Sequence, residues 1–239
     1  MSEGRVRELE EGLARTEQRI RAACASVGRA REDLTLIVVT KFFPATDVAA
    51  LVGLGVRDIG ENRDQEARAK VDELAGLLGG APPPRVHFIG QAQRNKAGSI
   101  ARYADVVHSV DRQRLATALD RGAAQAGRVL EVLVQVDLDP VPDPERGGAR
   151  PEEVPALAEA VARLEHLRLR GVMTVAPLDV EPDVAFERLA ALAADLRQAH
   201  PGADWVSAGM SADLESAVRH GATHLRVGTA ILGSRPSHR

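Results

Sequence analysis

The sequence predicts a closed (β/α)8 barrel, the TIM-barrel architecture, and three observations carry that expectation. Short runs rich in Val and Ile recur eight times along the chain. Amphipathic helical segments separate them, which is the alternation of parallel βαβ units. No dinucleotide-binding glycine fingerprint accompanies any run, which favours a closed barrel over an open doubly wound sheet.

The elements follow in order. Residues 3–27 read as an additional N-terminal helix in which Val6, Leu9, Leu13 and Ile20 form an interrupted apolar stripe, expected to pack across the barrel. Strands are expected at 34–40, 56–60, 86–90, 105–110, 132–137, 169–175, 204–209 and 223–228. Several are continuous apolar runs, as parallel strands covered on both faces require. Helical patterns follow Asp47 and run from Arg114 and from Val184. The Pro- and Gly-rich segment 137–153 reads as a long loop between a strand and the next helix rather than a domain linker. One domain over residues 1–239, with the barrel at about 34–235, accounts for the whole chain.

Composition narrows the function. Hydrophobic residues at 44% and charged residues at 27% are ordinary for a globular chain, and a formal net charge of −3 supplies no field to recruit nucleic acid. Cys24 is the only cysteine, so no intrachain disulfide is available, and the opening residues lack the apolar core of a secretory signal. No apolar run reaches the ~18–20 residues that span a bilayer. A cytoplasmic protein is expected. Of the 31 basic residues only Lys41, Lys70 and Lys96 are lysine, so a lysine at a strand end points to amine chemistry that arginine does not serve.

In such a barrel the C-terminal ends of the strands face the active site. Lys41 directly follows the first run, where apolar walls disfavour the ammonium form and make the amine a nucleophile toward an aldehyde. The competing reading is a lysine that snorkels to water. Ser211, after the seventh run, suits a helix N-cap, with Asp213 and Glu215 in the first turn. Gly228 and Thr229 follow the eighth run, where backbone N–H groups converge on an anion. Closure makes strands one and eight neighbours. A Schiff-base lysine beside a phosphate cup from strands seven and eight describes a pyridoxal 5′-phosphate (PLP) site.

Strand alternation points Arg226 to the same face as Gly228, toward the barrel mouth and the cofactor's pyridine nitrogen. A guanidinium only donates, so it leaves that nitrogen unprotonated and the ring a weaker electron sink. The alternative for Arg226 is a salt bridge on the barrel rim.

The blocks LIVVTKFFP, DIGENRDQE, HFIGQAQRNK, HSVD, GVMTVAP, SAGMSADLESAV and HLRVGTAILGSR stand in this order over residues 34–235. They resemble the PLP homeostasis protein family (the YggS/PROSC type), whose barrel is like the N-terminal domain of alanine racemase. The resemblance implies that Lys41 carries PLP covalently as a Schiff base and that Ser211, Gly228 and Thr229 hold the phosphate. It implies further that Arg226 faces the pyridine nitrogen and that Asn62 lines the pocket near Lys41. It also implies a non-catalytic carrier that supplies PLP to apo-enzymes. The chain departs from the family pattern at Arg63, at Gln91 and Ala92, at Asp137, and in PERGGA, which includes Gly148 and lacks the expected lysine. These departures touch the outer pocket and any secondary PLP-exchange site.

Two enzymatic readings stand beside the carrier. A PLP-dependent amino-acid racemase of the alanine racemase type needs an acid/base on each face of the bound amino acid. The lone tyrosine, Tyr103, falls on a predicted helix away from any strand end, which leaves His87 or a partner subunit to supply the second base. A cofactor-free aldolase would use the Lys41 imine and a sugar phosphate. His220 and His224 are separated by the helix-ending Gly221 and make a poor metal pair, and His87 and His108 read as satisfied core histidines. The run Gln93, Arg94, Asn95, Lys96 reads as a solvated rim, and no GxSxG elbow is present. A monomer is expected, because the second domain of the racemases has no counterpart.

Overall fold

Eight parallel strands close on one another in chain order, from β1 back to β8, in a computed structural model that describes residues 2–141 and 147–234. The strands are β1 (Thr35–Val39), β2 (Asp58–Glu61), β3 (Arg85–Phe88), β4 (Val106–Val110), β5 (Leu130–Gln135), β6 (Leu167–Met173), β7 (Trp205–Ser207) and β8 (His224–Val227). A helix follows each: α2 (Ala45–Gly53), α3 (Asp64–Leu77), α4 (Ala97–Tyr103), α5 (Gln113–Gln125), α6 (Val154–Ala162), α7 (Pro182–Ala199), α8 (Leu214–Arg219) and α9 (Thr229–Leu232). The predicted barrel is therefore observed. Part of PERGGA lies outside the described residues.

Closure is set by register. Ile37 of β1 pairs with Arg226 of β8, and Val39 pairs with Gly60 of β2, so the C-terminal ends of β8, β1 and β2 lie side by side. Strand alternation then divides the buried residues into two regions. Val38, Ile59, Val107, Val132 and Leu225 face outward into the core between sheet and helices. Inside the barrel, Val106, Leu133 and Met173 pack with Trp205. Polar side chains share the rest of the lumen, with His87, His108, Ser207 and Arg226 all buried there.

The additional helix α1 (Glu3–Ser26) is started by Ser2, whose hydroxyl accepts from the Arg5 N–H at 3.3 Å. Leu9 and Ile20 are fully enclosed and contribute about 2 kcal/mol each. Leu13 is partly buried against the core, and Val6 is half-buried. Gly12 and Thr16 complete the buried stripe. A Cβ on Gly12 would lie 2.5 Å from the Ile231 carbonyl oxygen, so only glycine lets α1 approach α9 this closely. The helix α1 packs against α9, α8 and α2, on the side where β8 meets β1.

Candidate functional site

All six residues singled out from the sequence fall on one arc of the barrel mouth, at the ends of β7, β8, β1 and β2. Lys41 and Asn62 follow β1 and β2, whose ends are tied by the Thr40 N–H donating to the Gly60 carbonyl at 3.0 Å. Ser211 follows β7, which is joined to β8 by the Arg226 N–H donating to the Gly209 carbonyl at 2.9 Å. Gly228 abuts β1, since a Cβ there would meet the Val39 carbonyl oxygen at 3.0 Å.

The turn carrying Lys41 rests on a buried ionic support. Phe42 adopts φ +72°, a left-handed conformation that costs a non-glycine residue roughly 1–2 kcal/mol. Its N–H donates to Glu66 Oε1. Lys70 Nζ lies beneath, donating to the Thr40 carbonyl at 2.8 Å and to Glu61 Oε1 at 2.6 Å, while the Thr40 hydroxyl donates to the same Glu61 oxygen at 2.6 Å. Burial pushes the Glu61 carboxyl above the usual range, and the Lys70 charge pulls it back. Lys41 Nζ sits 5.9 Å from the centre of the Phe42 ring, and the Arg63 guanidinium sits 5.1 Å from it. Arg63, one of the departures from the family pattern, thus packs on an aromatic ring.

The expected cap at Ser211 is corrected. The N-cap of α8 is Asp213, and residues 211–213 form a turn ahead of the helix. Asp213 Oδ1 accepts from the Met210 N–H at 2.6 Å, which folds the turn before the helix begins. This turn is fastened from outside by α1. Arg19 donates to both Glu215 oxygens, at 2.9 and 3.0 Å, and to the Ser211 carbonyl at 3.0 Å. Arg5 reaches the Leu232 carbonyl of α9 at 3.1 Å and Asp47 at 2.7 Å. The N-terminal helix therefore braces both turns, the one at Ser211 and the one at Gly228 and Thr229, where the first N–H groups of α9 have no intrahelical partner.

Arg226 is 4% exposed and makes no rim salt bridge among the described residues. It donates from Nη1 to Ser207 Oγ at 2.6 Å and from Nη2 to the Thr174 carbonyl at 2.7 Å. Burial lowers its pKa to about 10, opposed by the charge of Asp213. His108 Nδ1 lies 3.0 Å from Ser207 Oγ, His108 Nε2 lies 2.9 Å from His87 Nδ1, and His87 Nε2 lies 2.8 Å from Asp58 Oδ1. Burial depresses both histidines, and the neighbouring His87 and Arg226 charges press His108 lower still. The reading of His87 and His108 as satisfied core histidines holds. Sequence reasoning missed Ser207, Thr174 and the Lys70 support; for Lys70, its rarity as one of three lysines was the available signal.

Other residues fall outside the arc. His220 bonds Asp183 at 3.0 Å on the outer surface, whereas His224 lies in the lumen 4.2 Å from the Trp205 ring. Tyr103 is buried on α4, its phenol pKa raised by burial and by Asp64. A cavity of about 550 Å³ beside the arc is lined by Asn62, Arg63, Gln91, Gln93 and Lys96, so the Gln93–Lys96 run borders a cleft rather than a plain rim. Asp137 is buried and accepts from Arg150 at 3.0 Å.

The arc fits a cofactor with an aldehyde, a phosphate and a ring nitrogen. Asn62 Oδ1 is enclosed without a hydrogen-bond partner, and Arg226 uses two of its five N–H donors among the described residues. The alanine racemase N-terminal domain family model matches residues 12–236. The pyridoxal phosphate homeostasis protein of Mycobacterium tuberculosis is 47% identical over 245 residues, spanning 97% of this chain and 94% of that protein. This chain belongs to the pyridoxal phosphate homeostasis protein family. The family member of Escherichia coli is 36% identical over 96% of this chain and 98% of its own length. The solved structure of PipY from Synechococcus elongatus with PLP bound superposes at a TM-score of 0.74, with 36% identity over 90% of this chain and 100% of that one. Alanine racemase of Clostridium difficile shares the barrel fold at a TM-score of 0.69 and 18% identity, and this homeostasis-family chain spans 58% of its length.

Proposed function

We propose that this chain holds PLP covalently on Lys41 and supplies it to apo-enzymes, as a single-domain cytoplasmic monomer with no nucleic acid or membrane partner and no turnover of its own. The observation that carries the reading is the arc, which brings an amine, the turns that lead into α8 and α9 and a buried guanidinium to one end of the barrel. Bound there, the cofactor supplies an aldehyde for an imine with the Lys41 amine and a phosphate for the two turns. Ser211, Gly228 and Thr229 bind the phosphate, Asn62 contacts the cofactor beside Lys41, and Arg226 donates to the ring nitrogen without yielding its proton.

Two observations favour custody over racemisation. Tyr103 is enclosed on α4 in the outer layer, and both ring nitrogens of His87 are engaged within the lumen. Neither presents a second base at the mouth. The test is the visible spectrum of the purified protein with PLP, before and after borohydride reduction, with mapping of the modified peptide. An imine band fixed by reduction onto the Lys41 peptide is expected; fixation on Lys70 or Lys96, or no band, would overturn the reading. Absence of interconversion of L- and D-amino acids by the loaded protein is the matching expectation for the carrier role.

A further inference from the structure

We propose that a proton-ordered hydrogen-bond chain through the lumen, Arg226–Ser207–His108–His87–Asp58, fixes the orientation of the guanidinium that faces the ring nitrogen. Ser207, His108, His87 and Asp58 are accordingly positioning residues. The inference rests on the assignment of Arg226 to that nitrogen. The chain crosses four other strands' worth of the barrel, from β8 through β7, β4 and β3 to β2, with contacts of 2.6, 3.0, 2.9 and 2.8 Å.

Its two ends dictate its direction. A guanidinium has no acceptor, so Arg226 Nη1 donates to Ser207 Oγ. Asp58, partly open to solvent at the start of β2, accepts as a carboxylate from His87 Nε2. His87 therefore keeps its single proton on Nε2 and accepts at Nδ1. His108 Nε2 must then carry the proton that fills that contact, which leaves His108 Nδ1 to accept from the Ser207 hydroxyl. The opposite order would turn a bare His87 lone pair toward the Asp58 carboxylate. Every donor thus points from the mouth toward Asp58.

Filling space does not require this arrangement, because Val106, Leu133 and Met173 pack the same lumen with apolar side chains. The chain instead gives a buried cation, with no carboxylate bonded to it among the described residues, a polarised path to a negative charge across the barrel. It also ends at Arg226 in a group that cannot accept, so no proton travels along it to the ring nitrogen.

The experiment has two arms, both on the full chain. Nitrogen-detected NMR of the cofactor-free protein reads the tautomers, and both His87 and His108 are expected as Nε2–H; an Nδ1–H form of either overturns the chain's order. With PLP added, Ser207→Ala and Asp58→Ala are each expected to shift the imine absorption and weaken PLP binding roughly tenfold, the loss of one charge-assisted contact. Ser207→Thr, which keeps the hydroxyl, is expected to restore most of both, and Asp58→Asn, which keeps an acceptor but not the charge, is expected to restore only part. The Asp58→Ala effect is expected to vanish in the Ser207→Ala background, where the chain is already cut. Equal Asp58→Ala effects in both backgrounds, or none in either, would overturn the positioning role. A wild-type protein without an imine band would instead overturn the cofactor assignment, while the tautomers still report the chain's order.

Discussion

Lys70 Nζ and Glu61 Oε1 lie 2.6 Å apart with side chains 5% and 0% exposed, directly beneath the turn that carries Lys41. Removing one partner of such a pair leaves an uncompensated buried charge. Lys70→Met is expected to lower unfolding stability by about 3–5 kcal/mol in urea titrations. Lys70→Met combined with Glu61→Leu is expected to recover much of that loss, and an equal loss in both variants would contradict the account.

Lys41→Ala is expected to abolish the borohydride-trappable imine while leaving the urea midpoint within about 0.5 kcal/mol of wild type, since Lys41 sits on a half-exposed turn rather than in the core. Mass spectrometry of the reduced protein checks the first part. Retention of one PLP per chain in the variant would reassign the amine.

Ser211→Ala with Thr229→Ala is expected to weaken PLP binding without preventing imine formation. Arg19→Ala, which touches no part of the arc except the Ser211 carbonyl, is expected to weaken it in the same sense through loss of the brace. Binding of pyridoxal, which lacks the phosphate, separates the causes: neither change is expected to alter it. A drop in pyridoxal affinity equal to that for PLP would remove the phosphate assignment.

Stability is expected to fall in mild acid. His87 and His108 are depressed by burial, and His224 is pushed down to about 3 by burial reinforced by His87. With folded pKa values below the unfolded value of about 6.5, the unfolded chain takes up protons first as pH falls. Their contribution is complete above about pH 6.5 and is progressively lost below it, at up to about 1.4 kcal/mol per pH unit for a histidine that stays neutral in the folded protein. Glu61, raised by burial, acts in the opposite sense at lower pH. Urea titrations at pH 7.5, 6.5 and 5.5 check the trend, and a constant unfolding energy across them would refute it.

Gly12→Leu is expected to cost about 1–3 kcal/mol, because its Cβ would meet the Ile231 carbonyl oxygen at 2.5 Å. PLP affinity is expected to drop with it, since the displaced element is α9. Calorimetry and a PLP titration on the same variant check both halves, and a stability loss with unchanged affinity would separate α1 from the site.

The strands were legible because both faces are covered, so runs such as 34–40 are continuously apolar and leave little ambiguity. That Lys41, Arg226 and Gly228 lie together at one end of the barrel was legible, because parallel strands in a closed barrel all end on the same side. Ser211 was misread as a cap because Ser and Asp213 are both good capping residues, and the choice between them is made by the Met210 N–H, a tertiary detail. The packing of α1 was half legible: Leu9 and Ile20 mark its face, but the contact that decides its position is made by a glycine, which hydrophobic periodicity does not register. The lumen chain was hidden for a different reason. His108 and Ser207 are 99 residues apart in sequence, and only barrel closure makes them neighbours.

The clasp between α1 and α9 also orders events in time. Lys41 leaves the ribosome early, whereas Gly228 and Thr229 emerge on the last strand and helix, after most of the chain has been made at ~5–20 residues per second. Until then β1 has no β8 to pair with and α1 has only α2 of its three helical neighbours, so a nascent chain displays the amine for on the order of ten seconds before the turns proposed to seat the phosphate exist. On the proposed assignment, a chain interrupted before β8 and α9 would carry Lys41 without the full set of turns that hold the phosphate, so firm retention of the cofactor would wait for those two elements.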